Sequence, residues 1–113
     1  MVSWFGSTCV WMGLMVHIIR STLMMSWFGR LTSAMLGLGA GVIFIVVSVL
    51  GYIMAWGTLS YWGAVVIGSL LGCGGRLLFH GGVSLGWEVM GRCLMLHYLG
   101  GIVGLVVSGI HMY

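Results

Sequence analysis

An all-α fold embedded in a membrane is what this sequence predicts, and three observations predict it. Charged residues make up 4% of 113 residues, where soluble domains carry about 25%. The mean hydropathy is +1.21, and 61% of the residues are hydrophobic. The apolar residues fall into three uninterrupted stretches, each long enough to cross a hydrocarbon core. Lys, Asp, Asn, Gln and Pro are absent altogether. Such a surface cannot stay dispersed in water, so its solvent is lipid. The formal charge of +3 comes from isolated arginines, Arg20, Arg30, Arg76 and Arg92, against Glu88. With no basic run among them, nucleic acid is excluded as a partner.

The first span is expected over about 4–25. It holds His17 and ends near Arg20, and it carries no charged segment of the kind that opens a cleavable signal. A short link, 26–30, contains Gly29 and Arg30. The second span, about 31–56, has no charge and includes Gly37, Gly39, Gly41 and Gly51. Each glycine in the interior of a soluble helix costs about 1 kcal/mol. Between membrane helices it permits close approach instead. Residues 58–71, following Trp56 and including Tyr61 and Trp62, carry the aromatics of a membrane interface and predict an amphipathic helix lying at the surface. A glycine-rich loop, 72–86, carries Arg76, His80 and Gly81–Gly82. The last span is expected over 88–113. Two loop arginines flank the middle span on each side, so the positive-inside count does not orient the chain. There is no linker and no fixed-period repeat, so residues 1–113 form one membrane domain.

The residue bias also carries information. The abundant types have codons rich in G and U, and the absent types need A or C. This points to a genome with strong strand bias, as some organelles have. The cysteines Cys9, Cys73 and Cys93 are scattered, with no C-x-x-C spacing for a thiol pair or a zinc site.

Histidine inside a spanning segment is expensive, and His17, His97 and His111 all qualify. The plain alternative is an imidazole hydrogen-bonded to a neighbouring helix, while His80 in the loop reads as a solvated surface residue. His97 and His111 stand 14 residues apart. On an α-helix that spacing returns to within about 40° of one face, with a rise of roughly 21 Å. Two imidazoles at two depths suit two stacked cofactors. Neutral imidazole is a common axial ligand of haem, and a bis-histidine iron suits electron transfer. With no C-x-x-C-H sequence, such a haem is held non-covalently. Arg20, one turn from His17, is placed to pair a propionate. Gly37 and Gly51 are also 14 apart, leaving two gaps on one face where a flat macrocycle needs room.

With these residues assembled, the chain resembles mitochondrial-type cytochrome b of ubiquinol–cytochrome c reductase. The most specific stretch is Gly51 to Ile67, GYIMAWGTLSYWGAVVI, which resembles the family's G-Y-x-x-P-W-G-x-x-S-F-W-G-A-x-V-I. Gly81-Gly82-Val83-Ser84 resembles G-G-Y-S. Arg92 leads into His97 as R-F-F-x-x-H does, and His17-Ile18-Ile19-Arg20 resembles H-x-G-R. Gly37 and Gly51 fall on the family's paired glycines. The resemblance covers the family's second to fourth transmembrane helices, and the first helix and the C-terminal half with its P-E-W-Y motif are missing.

The resemblance implies three spanning helices of a haem-binding four-helix bundle plus the surface helix. It implies one or two molecules of haem b. His17 and His111 would ligate the iron nearer the matrix, with Arg20 near its propionates, and His97 would ligate the iron nearer the intermembrane space. Gly37 and Gly51 would border the macrocycles. Ala55, Trp56, Gly57, Tyr61, Trp62, Gly63, Ala64 and Ile67 would line one wall of the quinol-oxidation pocket. Ala55 departs from the family's proline and relaxes the bend into the surface helix. The partner of His97 is expected 14 residues before His17, where Ser3 stands, and serine is not a haem ligand. A separate polypeptide that carries the rest of cytochrome b and the missing histidine is the expectation, with Met1 falling two residues before that position.

The implied function is quinol oxidation near the surface helix, in the mitochondrial inner membrane. One electron would pass to a Rieske iron–sulfur protein, and so to cytochrome c1. The other would cross the membrane through the haems to ubiquinone, coupled to proton translocation. Two readings compete: a haem-free structural subunit of a respiratory complex, and a small three-span transporter or pore. The latter leaves the 51–67 motif without a purpose.

Overall fold

The structure, a computed structural model, describes residues 1–72 and 87–113, without the side chain of Trp87. The glycine-rich loop, with Cys73, Arg76, His80 and the Gly81–Ser84 match, lies outside the described residues. Four helices are described: α1 (Val2–Leu23), α2 (Leu31–Met54), α3 (Thr58–Leu70) and α4 (Trp87–Met112). Three of them are long and apolar enough to cross a membrane: α1, α2 and, over Glu88–Met112, α4. The protein is an all-α membrane protein, as the apolar runs predict. The chain divides into two compact units, Met1–Met35 and Leu36–Tyr113.

The first unit is α1, the turn after it and the opening of α2. The helix ends two residues earlier than expected, because the backbone closes on itself. The amide of Met25 donates to Thr22 at 3.2 Å and that of Ser26 to Ser21 at 3.2 Å. Met25 takes the left-handed conformation between them, at φ 45°. This is a Schellman closure of the last carbonyls, built without the usual glycine. The Ser26 hydroxyl reinforces it, lying 2.9 Å from the Ser21 hydroxyl.

The second unit contains the buried core. Leu50 and Ile53 from α2, Ala64 from α3, and Val89 and Cys93 from α4 form one cluster, with Val49 and Met54 against it. Against lipid tails, burial brings little hydrophobic gain, so close packing has to hold these helices together. The sequence supplies the means. A methyl built on Gly100 would stand 2.7 Å from Cγ2 of Val47, and one on Gly104 would stand 3.3 Å from Cγ2 of Ile43. Side chains of α2 therefore seat on bare backbone of α4. Contacts pair the start of α2 with the end of α4, so the two run antiparallel.

Between α2 and α3 the chain turns at Ala55–Gly57 without a proline. The Ala55 amide donates to Tyr52 at 3.3 Å and that of Trp56 to Ile53 at 3.2 Å. Trp56 carries the left-handed backbone, φ 55°. Gly57 is extended and starts α3. On α3, Ala64 faces the core at 1% exposure, while Leu59, Trp62, Val66 and Leu70 form one exposed stripe. Thr58, Tyr61 and Ser69 are exposed as well, so the outer surface of this helix mixes apolar and polar groups, as an interfacial helix does.

Candidate cofactor site

The site is built from α2 and α4. On α4, His97 and His111 are both partly buried, and each is received by a glycine of α2. A methyl on Gly37 would stand 2.6 Å from Cε1 of His111, 3.1 Å from its Nδ1 and 3.2 Å from its Nε2. A methyl on Gly51 would stand 3.1 Å from Cε1 of His97, 3.6 Å from its Nδ1 and 4.0 Å from its Nε2. Any side chain at either position would meet an imidazole edge. The 14-residue spacing on each helix, read separately from the sequence, becomes two matched glycine–histidine contacts at two levels.

The ring of His97 is also held by a hydrogen bond, with Nδ1 lying 2.8 Å from the carbonyl oxygen of Val47. Val47 carried no signal at the sequence level. Its role is played by a backbone atom and becomes visible only once α2 and α4 are packed together. Gly100 was missed as well. It lies one turn beyond His97 on α4, on the same side, and brings that face onto Val47.

The other candidates are placed as follows. His17 and Arg20 lie on α1, in the first unit, one turn apart and both exposed. Ser3, 14 residues before His17, is exposed at the start of the same helix. Ala55, Trp56 and Gly57 make the turn and are exposed, with Trp56 at 47%. Tyr61 and Trp62 are exposed neighbours on α3, with ring centroids 5.3 Å apart and planes at 87°. Gly63 and Ile67 are half-buried. Ala64 is a core residue, packed with Leu50, Ile53, Val89 and Cys93. Among the described residues no three of His, Cys, Asp and Glu gather into a cluster that could hold a bare metal ion.

Fold and site together define a helical membrane protein with imidazole donors stacked at two depths of one helix pair. Comparison with known proteins narrows the class. Cytochrome b of Plasmodium falciparum is 33% identical over 110 residues, 96% of this chain and 29% of that protein. Cytochrome b of Theileria parva is 33% identical over 104 residues, 87% of this chain and 27% of that protein. Cytochrome b of Eptatretus burgeri is 39% identical over 83 residues, 65% of this chain and 22% of that protein. The chain belongs to the cytochrome b family, and it spans under a third of the length of these relatives. No protein-family profile matches it, and no solved structure does.

Proposed function

We propose that this chain is part of a b-type haem-binding membrane subunit of a ubiquinol–cytochrome c oxidoreductase in the mitochondrial inner membrane. The observation that carries this reading is the pair of glycine–histidine contacts, Gly37 with His111 and Gly51 with His97, in a chain of the cytochrome b family. The residues fit haem. The donors are imidazoles, and those of His97 and His111 are admitted against α2 because it has no side chain at Gly51 and Gly37. His97 and His111 on α4, and His17 on α1, are the residues that would hold iron. Arg20, one turn from His17, would pair a propionate. A bound haem supplies reversible one-electron transfer; the protein supplies ligands, orientation and a dry surround. Trp56, Tyr61, Trp62 and Ile67, with Ala55, Gly57 and Gly63, would offer one wall to the quinol, while Ala64 supports that wall from the core.

In this reading ubiquinol is the substrate. The membrane lipid, a Rieske iron–sulfur protein, cytochrome c1 and the polypeptide carrying the remaining cytochrome b sequence are the partners. The test is a reduced-minus-oxidised spectrum of the complex containing this chain. The expected result is b-type haem bands that His97→Ala and His111→Ala each diminish. A complex with no haem bands, or with bands indifferent to both substitutions, overturns the proposal. A haem-free structural subunit is the second reading, favoured by Ser3 standing where the partner of His97 is expected, and the same spectra separate the two.

A further inference from the structure

His97 has two ring nitrogens, and they are not equivalent in this structure. Nδ1 lies 2.8 Å from the Val47 carbonyl oxygen. A carbonyl oxygen only accepts, so Nδ1 carries the hydrogen and donates it. In the neutral ring, Nε2 is then the bare lone pair, which is the form that binds a metal.

The acceptor has a second claim on it. In an α-helix the carbonyl of residue 47 also receives the amide of residue 51. A carbonyl has two lone pairs, so it can take both. Reaching it from outside the helix is the difficulty. Helical side chains lean toward the N-terminus, so a side chain at 51 would lie over the turn that contains residue 47. Residue 51 is glycine, and the imidazole edge stands where its side chain would be: a methyl there would be 3.1 Å from Cε1 of His97. Val47 is also held against α4 by its own methyl, seated on Gly100 one turn beyond His97.

We propose that the Val47 carbonyl is the positioning group for His97: it selects the tautomer that leaves Nε2 free to bind iron, and Gly51 is the opening through which the ring reaches it. This rests on the reading of His97 as a haem ligand. Gly51 then does more than make room for a macrocycle. It exposes a backbone acceptor on α2 that orients a ligand belonging to α4, before any cofactor is bound.

The experiment uses the full chain in lipid nanodiscs with ¹⁵N-labelled histidine and no metal. The expected signature for His97 is a protonated Nδ1 and a bare Nε2. Gly51→Ala should shift that ring toward the other tautomer. Gly39→Ala, where nothing lies within 4 Å, should leave it alone. A second arm replaces His97 with Nδ1-methylhistidine, which keeps Nε2 but cannot donate, and titrates the complex containing this chain with ferric protoporphyrin IX. Losing such a hydrogen-bond partner typically weakens binding about 10- to 100-fold. A His97 ring protonated on Nε2 in the unsubstituted chain overturns the proposal. So does an unchanged tautomer in Gly51→Ala, or a methylhistidine chain that binds porphyrin as tightly as the parent. If no form of the complex binds porphyrin, the ligand reading fails, while the tautomer measurement still decides the Val47 contact.

Discussion

Gly100 and Gly101 are adjacent on α4, and the structure treats them oppositely. A methyl at Gly100 would stand 2.7 Å from Cγ2 of Val47; at Gly101 it would meet nothing within 4 Å. Carbon atoms rest at about 3.5–4.0 Å, so Gly100→Ala is roughly 1 Å too close. Valine is stiff at χ1 and cannot swing aside cheaply. Relief has to come from moving α2 away, and such overpacking costs about 1–3 kcal/mol. Alanine also gains about 1 kcal/mol over glycine in helix propensity, but both variants gain it and it cancels. Gly100→Ala should therefore be less stable than Gly101→Ala by about 1–3 kcal/mol. The assay is reversible unfolding of the chain in mixed micelles with rising dodecyl sulfate, followed by circular dichroism. Because Val47 also binds His97, Gly100→Ala should disturb the ¹⁵N signals of that ring, and Gly101→Ala should not. Equal stabilities, or a Gly101→Ala variant weaker than Gly100→Ala, would refute the packing of α4 on Val47.

Further outcomes follow from single contacts. Gly37→Ala places a methyl 2.6 Å from Cε1 of His111, so it should perturb the haem bands attributed to His111, whereas Gly39→Ala should leave them intact. Ala64→Leu adds three heavy atoms at a site with 1% exposure and should destabilise the chain by about 1–3 kcal/mol in the same micelle assay. Met25→Gly removes the strain of a left-handed side-chain-bearing residue at φ 45° and should stabilise the end of α1 by about 1 kcal/mol, read as slower amide exchange at Ser26. Ala55→Pro deletes the amide that donates to Tyr52 at 3.3 Å and disfavours helical backbone at Met54, so amide exchange at the end of α2 should quicken.

The spans were legible because lipid imposes a pattern that composition alone reveals: long apolar runs with arginines confined to their ends and links. Their ends were not. α1 stops at Leu23 and α2 at Met54 because Met25 and Trp56 adopt positive φ, and neither residue type announces that conformation. The site was half legible. The spacing of 14 put the histidine pair on one face of α4 and the glycine pair on one face of α2. Which glycine meets which histidine is a property of two helices together and is written in neither alone. The surface helix was legible from its interface-type aromatics, but which of its residues enters the core was not: Ala64 is buried and Trp62 is exposed. The Val47 carbonyl had no residue-level signal at all, since every residue has a carbonyl and only the neighbouring glycine makes this one reachable.

The glycines of α4 and the glycines of α2 do different work, and the contacts separate them. Gly37 meets His111 and Gly51 meets His97, so both pairs of residue numbers sum to 148, while Gly100 on Val47 and Gly104 on Ile43 sum to 147. Gly100 and Gly104 are spaced by four, so sliding α4 by one turn would still bring a glycine opposite Val47 in one direction. They bring the helices close but do not choose the register. The histidines do. A slide of four residues one way sets His97 against Val47 and His111 against Ser33, both with side chains. A slide the other way returns His111 to a glycine, Gly41, but sends His97 to Ala55, beyond the last residue of α2. Of the three alignments, only the observed one seats both imidazoles on bare backbone. The small residues of α4 thus set how near the helices lie, while the glycine–histidine pairs select the depth at which each donor stands.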